Sequence, residues 1–439
     1  MRLRHPHDRE ILRLAIPALG ALIAEPLYLL ADSAIVGHLG TPQLAALGLA
    51  GTALQTLTTV FIFLAYGTTA TVARHLGAGD HRGAISAGLD GLWLAFGLGV
   101  GVAVVGVAAT PAIVAGFDPS PAVSAYAITY LRIAILGMPA LLITFAGTGV
   151  LRGLQDTRTP LWIATAAYAA NIVLNLLFVY GLGWGIAGSA WGTVVAQTGG
   201  AVALVLIVVR GARRHHVSLR PHLAGIRNSV HDGVPLLVRT ITLRLAILLA
   251  TYVATRIGDT ALAAHQVAFT LWTTLALALD AIAIAGQAII GRYLGAADVA
   301  GTRAATRRMI EWGVAAGVVL GLLLLLARPL YIPLFTTDPA VRELLADVIM
   351  VFVVYEPIAG IVFVLDGVLI GAGDGRYLAY AGVWTLVAFL PLAGAVLAFG
   401  GGLVALWWAF GGFMLARCVT LLLRERGSAW LVTGAPAHR

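Results

Sequence analysis

Residues 73–80 read ARHLGAGD, and residues 291–298 read GRYLGAAD, 218 positions later. The same offset pairs Pro17 with Pro235 in an apolar stretch. It also pairs Gly40 with Gly258, Pro139 with Pro357, Gly153 with Gly371 and Asp156 with Asp374. One register that includes prolines, glycines and loop charges is not chance similarity between apolar helices, so the sequence is a tandem duplication.

The composition is typical of a protein that is solvated mainly by lipid. Hydrophobic residues make up 60% of the 439 and charged residues 11%, with a mean hydropathy of +0.93, whereas soluble proteins carry about a quarter charged residues. Twelve apolar stretches could each cross a bilayer as a helix of about 20 residues or more. They lie near 11–38, 44–73, 84–115, 122–151, 161–181, 187–209, 230–256, 262–291, 303–333, 340–370, 377–399 and 402–423. We therefore predict an all-α integral membrane protein with twelve transmembrane helices.

The duplication divides these helices into two equal sets. Because the offset covers six spans, an even number, the two halves insert with the same orientation and are related by an axis along the membrane normal. We predict two pseudo-symmetric six-helix lobes, residues 1–209 with helices 1–6 and residues 229–439 with helices 7–12, joined by a cytoplasmic linker at 210–228. Two parallel bundles are typical of transporters, in which they rock about a central site.

The arginines predict the orientation of the chain. All 28 cationic side chains are arginine, and 21 of them lie at the two termini and on alternate connections, while connections such as 181–185 carry none. By the positive-inside rule both termini are cytoplasmic, which requires an even number of spans. The formal charge of +8 follows from this topology and does not indicate a nucleic-acid partner. High alanine and glycine without lysine match a GC-rich bacterial genome, so we expect a multi-pass protein of a bacterial cell membrane.

The first span carries two carboxylates inside the membrane, where an aspartate costs roughly 2.5–3.5 kcal/mol. Glu25 and Asp32 are seven residues apart, which is two helical turns and therefore one face. Pro17 and Pro26 lie in the same helix, and each removes a backbone hydrogen bond and permits a kink. We interpret Asp32 as the coupling residue, Glu25 as its companion and the prolines as the means of bending.

Other polar residues of the first half could line a chamber beside Asp32. Asn171 and Asn175 are spaced i, i+4 on the fifth span, with Tyr168 one turn earlier. The chamber is completed by Tyr28, Thr148 and Thr193. For the threonines taken alone, ordinary hydrogen bonds between helices, worth about 0.6 kcal/mol each, are an equally simple explanation.

The second half differs in chemistry, because Ala250 stands where the repeat places the counterpart of Asp32. A second site in this half could be built from Arg239, Arg244, Asp280, Gln287, Glu356 and Asp366. Arg244 and Asp280 could form a structural ion pair, or they could serve a substrate or a gate, and both interpretations stay open. Arg417 lies nearer the end of a span, where its side chain could reach the interface.

Several motifs resemble those of a known transporter family. They are LADSAIVGHLG (30–40), LRGLQDTR (151–158), NIVLNLLF (171–178) and GIAGSAW (185–191). In this order they resemble the multidrug and toxic compound extrusion (MATE) family. FVLDGVLIGAGD (363–374) and DAIAIAGQ (280–287) look like its DinF-type branch.

The resemblance implies a V-shaped antiporter of twelve helices that expels amphipathic, often cationic compounds in exchange for protons or sodium. Asp32 matches the essential first-helix aspartate of the family, Pro17 its kink-forming proline and Asn171 a neighbouring polar ligand. Asn175 departs from the aspartate of many relatives, which weakens any sodium site built from two carboxylates. Glu25 could compensate from the first helix.

We therefore expect a secondary active antiporter that exports cationic drugs or metabolites in exchange for protons by alternating access. Two alternatives stay open: sodium coupling, or export of an organic anion or a lipid-linked substrate on the same fold. An enzyme such as a prenyl transferase would need an Asp-rich diphosphate motif, and an ATP-driven pump a Walker A sequence, and neither occurs. With Cys418 as the only cysteine, we expect no metal and no cofactor. The expected form is a monomer whose partners are the lipid bilayer and a small-molecule substrate.

Overall fold

The computed structural model describes residues 6–435, which form fourteen α-helices and no β-strand. The helices are α1 (Pro6–Gly37), α2 (Thr41–Phe61), α3 (Phe63–Gly77), α4 (His81–Ala115), α5 (Pro121–Ile135), α6 (Met138–Gly153), α7 (Arg158–Leu176), α8 (Gly185–Arg214), α9 (Leu223–Ile257), α10 (Asp259–Gly295), α11 (Val299–Phe335), α12 (Pro339–Gly371), α13 (Gly375–Ala398) and α14 (Leu403–Arg426). A π-helical turn, Leu177–Gly181, extends α7. The predicted all-α fold class is confirmed.

The helices account for the twelve predicted spans. Within residues 6–435, eleven segments are long and apolar enough to cross a membrane, among them Thr41–Gly77, which joins α2 and α3. The twelfth consists of α5 and α6, which meet at a bend of 47°. The predicted lobe ends at 1–5 and 436–439 lie outside the described residues.

The bend between α5 and α6 has no equivalent break in the second half. Pro139, the second residue of α6, lacks the N–H that would continue α5, and Gly137 at the break is a poor helix former. The counterpart Pro357 lies inside α12, which runs unbroken from Pro339 to Gly371. Tyr355 occupies the position of Gly137 there, so the second half keeps the proline without the glycine that allows the chain to break.

Elsewhere the backbone repeats closely at the 218-residue offset. Gly40 and Gly258, just before α2 and α10, have φ values of 142° and 143°, a conformation that side chains rarely adopt. Asp80 caps α4 by accepting a 2.8 Å hydrogen bond from the backbone N–H three residues on. Asp298 caps α11 in the same way at 2.7 Å. The duplication seen in the sequence is therefore also a duplication of local geometry.

The close approach of helices is repeated as well. A Cβ on Gly149 in α6 would collide with the carbonyl oxygen of Ala65 in α3, and a Cβ on Gly367 in α12 would collide with that of Ala283 in α10. Both pairs are related by the same offset. Small residues that let backbones touch are the usual basis of helix packing in membranes, so both halves are built on the same contacts.

The chain forms two compact units. One contains Gly20–Gly233, and the other contains the residues up to Leu19 together with Val234–Gly434. All of α1 was predicted to lie in the first lobe, but by its contacts the start of α1 belongs to the second unit. In the same way the start of α9, up to Gly233, belongs to the first unit. The stretch 210–228, expected as a linker, is the end of α8, a turn and the start of α9.

Ion pairs hold the start of α1 within the second unit. Arg308 of α11 donates to both carboxylate oxygens of Asp8, at 2.6 and 2.8 Å, and the Trp312 indole donates to the same carboxylate at 2.9 Å. Arg292 of α10 pairs with Glu10. A bidentate arginine and carboxylate pair fixes orientation as well as distance, so these bonds explain why the start of α1 packs with α10 and α11.

The start of α9 is held within the first unit by close packing more than by charge. The His222 imidazole lies 3.9 Å from the Asp90 carboxylate of α4, and its side chain is 61% exposed. A Cβ on Gly225 would collide with the same carboxylate, so the helix packs closely there. The equivalent ends of α1 and α9 are therefore held by different chemistry, strong ion pairs in one unit and backbone packing in the other.

Candidate functional site

A buried carboxylate is the centre of the candidate site. Asp32 of α1 is 3% exposed. Its Oδ1 accepts a 2.6 Å hydrogen bond from the Asn175 amide of α7 and a 2.8 Å bond from the Ser189 hydroxyl of α8. These donors hold the carboxyl group in one orientation, and both are uncharged.

The hydrogen bonds continue away from Asp32 along α7 and α8. The Asn175 amide also donates to Asn171 Oδ1 at 2.9 Å, and the Asn171 amide donates to the Thr193 hydroxyl at 3.0 Å. Thr193 in turn donates to the backbone carbonyl of Ser189 at 3.0 Å. We call Asp32, Asn171, Asn175, Ser189 and Thr193 the Asp32 network.

Two tyrosines flank the Asp32 network. The Tyr28 hydroxyl lies 3.4 Å from the Thr193 hydroxyl, and because the Thr193 hydrogen is used on a backbone carbonyl, Tyr28 is the donor. The Tyr28 ring stacks on Tyr168 of α7, with centroids 4.9 Å apart and planes 7° apart. Tyr130 of α5, which is buried, interacts electrostatically with Asp32. The network is therefore bordered by aromatic rings.

Local sequence explains how these groups meet. Asn171 and Asn175, like Ser189 and Thr193, are spaced i, i+4, so each pair shares one helix face. Gly192 leaves room for the Asn175 amide, since a Cβ at that position would collide with it. The Tyr180 hydroxyl in the π-helical turn donates to the backbone carbonyl of Ile35 at 2.6 Å, which ties the end of α1 to the end of α7.

The network leaves one oxygen of the carboxyl group open. Asp32 Oδ1 receives two hydrogen bonds, whereas Oδ2 receives none from the residues between 6 and 435. Asn175 Oδ1 is also buried without a hydrogen-bond partner among them. Chemically, Asp32 Oδ2 is the atom that is available to bind a proton or a cation.

Other residues predicted for this site lie outside the network. Glu25 is exposed and, among the described residues, makes no hydrogen bond or ion pair, although it is on the same helix as Asp32. Thr148 is half-buried on α6 and does not hydrogen-bond to the network. Pro17 is buried, Pro26 is exposed, and α1 continues through both.

Ser189 and Tyr130 were not predicted from the sequence. Ser189 carried a usable signal, because it lies one turn before Thr193 on the sixth span and shares its face. Tyr130 carried none, since nothing in an apolar helix distinguishes a tyrosine that faces a carboxylate from one that faces lipid.

A second buried charge cluster lies within the other unit. Arg239 of α9 donates to Asp366 of α12 through Nε, at 3.3 Å from Oδ1, and a terminal nitrogen of the same guanidinium contacts Oδ2. Arg417 of α14 lies 3.5 Å from Asp366 Oδ1. Arg244 forms no ion pair within residues 6–435, so the Arg244–Asp280 pair considered from the sequence is not formed.

Sequence comparison identifies the family. The MatE family model matches residues 17–177 and 235–394, one match in each half. The chain belongs to the MATE family. The resemblance seen in the motifs is thereby confirmed, and the two matches follow the internal duplication.

Related MATE proteins cover almost the entire chain. Protein DETOXIFICATION 43 of Arabidopsis thaliana is 31% identical over 484 residues, covering 96% of this chain and 91% of the relative. DNA damage-inducible protein F of Escherichia coli K12 is 28% identical over 429 residues, covering 94% and 91%, which agrees with the predicted DinF-type branch. A crystal structure of MATE in the bent conformation superposes with a TM-score of 0.88 at 23% identity, covering 98% of this chain and 97% of that one.

Two more predicted residues of this MATE chain are buried in the second unit. Glu356 is 1% exposed on α12, and neither carboxyl oxygen has a hydrogen-bond partner among the described residues. Gln287 of α10 is equally buried, and its Oε1 lacks a partner in the same range. Within residues 6–435, no group of three or more His, Cys, Asp or Glu side chains could hold a metal ion.

Proposed function

We propose that this MATE protein is a secondary active antiporter that exports amphipathic, cationic drugs or metabolites in exchange for protons by alternating access. Asp32 carries the proton. The observation that supports this role is a carboxyl group, 3% exposed, whose hydrogen-bond partners among residues 6–435 are all uncharged. A carboxylate shielded from water without a counterion is costly, and it becomes neutral by binding a proton or a cation.

The hydrogen bonds favour a proton over sodium. A hard metal cation needs several oxygen ligands, but Asn175 and Ser189 turn an N–H and an O–H towards Asp32. Among residues 6–435, Asp32 Oδ2 and Asn175 Oδ1 are the carboxyl and amide oxygens of the network that accept no hydrogen bond, fewer than the several oxygen ligands that a metal cation needs. A proton on Oδ2 needs no further ligand, so the arrangement supports proton coupling.

The aromatic border of the network supports a cationic cargo. Glu25 and Tyr28 are three residues apart on α1 and share one face. Glu25 is exposed and forms no ion pair with any residue between 6 and 435, and Tyr28 is stacked on Tyr168. A planar organic cation could place its ring against the tyrosines and its charge near Glu25, which combines stacking, cation–π attraction and an ion pair.

Proton binding could drive a change in α1. A proton on Asp32 weakens the charge-assisted bonds from Asn175 and Ser189, so α1 is held less firmly against α7 and α8. Pro17 and Pro26 lack the backbone N–H groups that resist bending. In this proposal protonated Asp32 favours a bent α1, which shrinks the chamber and expels the cargo, while ionised Asp32 favours loading.

One proton provides enough energy for this cycle. Exchange of one proton for a cargo with one positive charge moves no net charge across the membrane, so the pH gradient drives it, and each pH unit supplies about 1.4 kcal/mol, a tenfold gradient of the cargo. One titrating carboxyl group therefore suffices, and the proposal requires no second coupling site.

In this proposal the protein works as a monomer in the cell membrane, with both termini in the cytoplasm. Its two lobes, 1–209 and 229–439, rock in alternating access. The arginine distribution supports this orientation. A green fluorescent protein fused to the C-terminus should therefore fluoresce, whereas an alkaline phosphatase fused there should be inactive. The opposite result would reverse the orientation.

The coupling ion and the cargo can be tested together in proteoliposomes. Efflux of ethidium should follow an imposed pH gradient and should be unaffected by a sodium gradient of equal size. Glu25→Gln should raise the KM for ethidium several-fold and leave the maximal rate nearly unchanged, since Glu25 attracts the cation but carries no proton. Glu343→Gln, at another exposed glutamate, is the matched control. Efflux driven by sodium alone would refute proton coupling.

A further inference from the structure

Arg417 is a charged side chain inside the second unit that the proposed transport cycle does not use. It lies on α14, nine residues before the end of the helix at Arg426, and its side chain is 11% exposed. A guanidinium group stays charged in proteins and has five N–H donors. A group of this kind so far from water needs acceptors for its hydrogen bonds.

The neighbouring carboxylates do not supply these acceptors. Both oxygens of Asp366 are engaged by Arg239, and Arg417 reaches only one of them, at 3.5 Å. Asp374 is bound to Arg424 at 2.6 Å. Glu356 lies ten residues before Asp366 on α12, about 15 Å along the helix axis. Throughout residues 6–435 no acceptor takes a hydrogen bond from the Arg417 guanidinium, which is also repelled by Arg239.

A small cavity adjoins the guanidinium group. Arg239, Asp366 and Arg417 line it together with Gly382, Thr385 and Thr420. The cavity volume is about 10 Å³, which is enough for one water molecule or one small ion.

The remaining polar groups of the cavity do not compete for such an ion. The Thr385 hydroxyl donates to the Gly382 carbonyl at 3.0 Å, and the Thr420 hydroxyl donates to the Arg417 carbonyl at 2.9 Å. The donors without an acceptor are therefore those of Arg417. A water molecule would satisfy two of them at most and would leave the charge uncompensated, whereas an anion satisfies both needs.

We propose that Arg417, with Arg239 beside it, binds a small monovalent anion of the size of chloride in this cavity. The guanidinium donors provide charge-assisted hydrogen bonds to such an anion. Asp366 limits the affinity, because its carboxylate lies at the same cavity and repels an anion.

The test is anion-dependent thermal stability of the purified full-length protein in nanodiscs. Sodium chloride and sodium bromide, titrated against sodium gluconate at constant ionic strength, should raise the Tm saturably. Arg417→Gln should weaken chloride binding about tenfold or more, since a hydrogen bond to a charged group is lost. Asp366→Asn should strengthen it several-fold. Arg244→Gln, at an arginine of α9 outside the cavity, is the matched control and should not change the affinity.

Anomalous diffraction from crystals grown in bromide provides a second readout that does not depend on any variant. Bromide density within about 3.5 Å of the Arg417 guanidinium supports the proposal. Absence of that density, or an anion-dependent Tm rise that is equal in Arg417→Gln and wild type, overturns it. If Arg417→Gln fails to fold, Asp366→Asn decides, because unchanged or weaker chloride binding in that variant contradicts the repulsion on which the assignment depends.

Discussion

The first half keeps a buried polar network around Asp32, whereas the second half has an apolar cavity at the equivalent position. Ala250 stands in place of Asp32 at the 218-residue offset. It lines a small cavity with His265, Phe269, Trp407 and Phe410, and the surface exposed in the cavity is apolar. The two halves share their caps, positive-φ glycines and helix contacts. The comparison shows that the duplicated backbone was retained while the chemistry of one half changed.

The same replacement occurs on the last span of each half. The turns before α8 and α14 each contain a glycine with positive φ, Gly183 at 70° and Gly400 at 64°, which are 217 residues apart. By this local register Ser189, a donor to Asp32, corresponds to Leu406, which lines the apolar cavity. A donor and its acceptor in the first half thus both correspond to apolar side chains in the second half, so neither is left there without the other.

The largest expected effect is a difference in transport between variants that lack the buried carboxyl group of the first half and of the second half. Asp32→Asn should reduce ethidium efflux driven by a pH gradient at least a hundredfold, since the amide cannot carry the proton. Glu356→Gln, which removes the buried carboxyl of the second half, should retain efflux within about twofold. Transport assays with equal amounts of reconstituted protein decide this. Loss of transport in Glu356→Gln would place part of the coupling in the second half.

Filling the equivalent helix contact in either half should destabilise the protein by a similar amount. Gly99 and Gly317 each lie against the backbone of a helix at a proline, Pro139 and Pro357 respectively. Ala at either position overpacks the contact and should destabilise the protein by about 1–3 kcal/mol, measured by thermal unfolding in detergent. A cost confined to one of the two variants would show that the repeated contact does not have the same energetic role.

The contacts at the starts of α1 and α9 should contribute different amounts to the free energy of unfolding. Arg308→Gln removes the bidentate pair with Asp8, and we expect a loss of about 1–2 kcal/mol, because hydrogen bonds to a charged group are lost while the Trp312 indole still donates to Asp8. His222→Ala should cost less than about 0.5 kcal/mol, since the imidazole is exposed and 3.9 Å from Asp90. Unfolding midpoints of the two variants test this difference, and equal losses would contradict it.

The smallest effect concerns the coupling ion. Asn175→Asp places a second carboxylate beside Asp32 and replaces an N–H donor with an oxygen ligand. Sodium should then stimulate efflux by several-fold, up to about tenfold, because two neighbouring carboxylates repel each other and a bound cation relieves that repulsion. Asn175→Ala removes the donor without adding an oxygen and is the control. Equal sodium stimulation in both variants would contradict this explanation.

Much of the polar network could be predicted from helical spacing. Asn171 and Asn175 share a face by their i, i+4 separation, and Thr193 was selected as a polar residue of the sixth span. Glu25 and Asp32 also share a face, yet one is exposed and the other buried. Seven residues separate them by about 10 Å along the axis, so they meet different surroundings, and depth cannot be read from periodicity.

The charges of the second half were harder to predict. Arg239 and Asp366 are 127 positions apart, and no pattern in the sequence indicates that they form a pair. Arg417 was expected to reach the interface because it lies near the end of a span, but its side chain is covered by α9, α12 and α13. The pairing of Arg244 with Asp280 was one of two interpretations that the sequence left open, and Arg244 forms no ion pair within residues 6–435.

The sequence by itself determined the membrane class, the twelve spans, the duplication and the helix faces, because these follow from composition and from the 3.6-residue period of a helix. Only the tertiary structure decided that Asn175 and Ser189 donate to Asp32 and that Arg417 faces a cavity. It also decided that the starts of α1 and α9 belong to a different compact unit from the rest of the same helix. The physical reason is that these facts depend on contacts between helices. Such contacts are set by axial position and by the packing of small residues, and neither leaves a periodic signal in the chain.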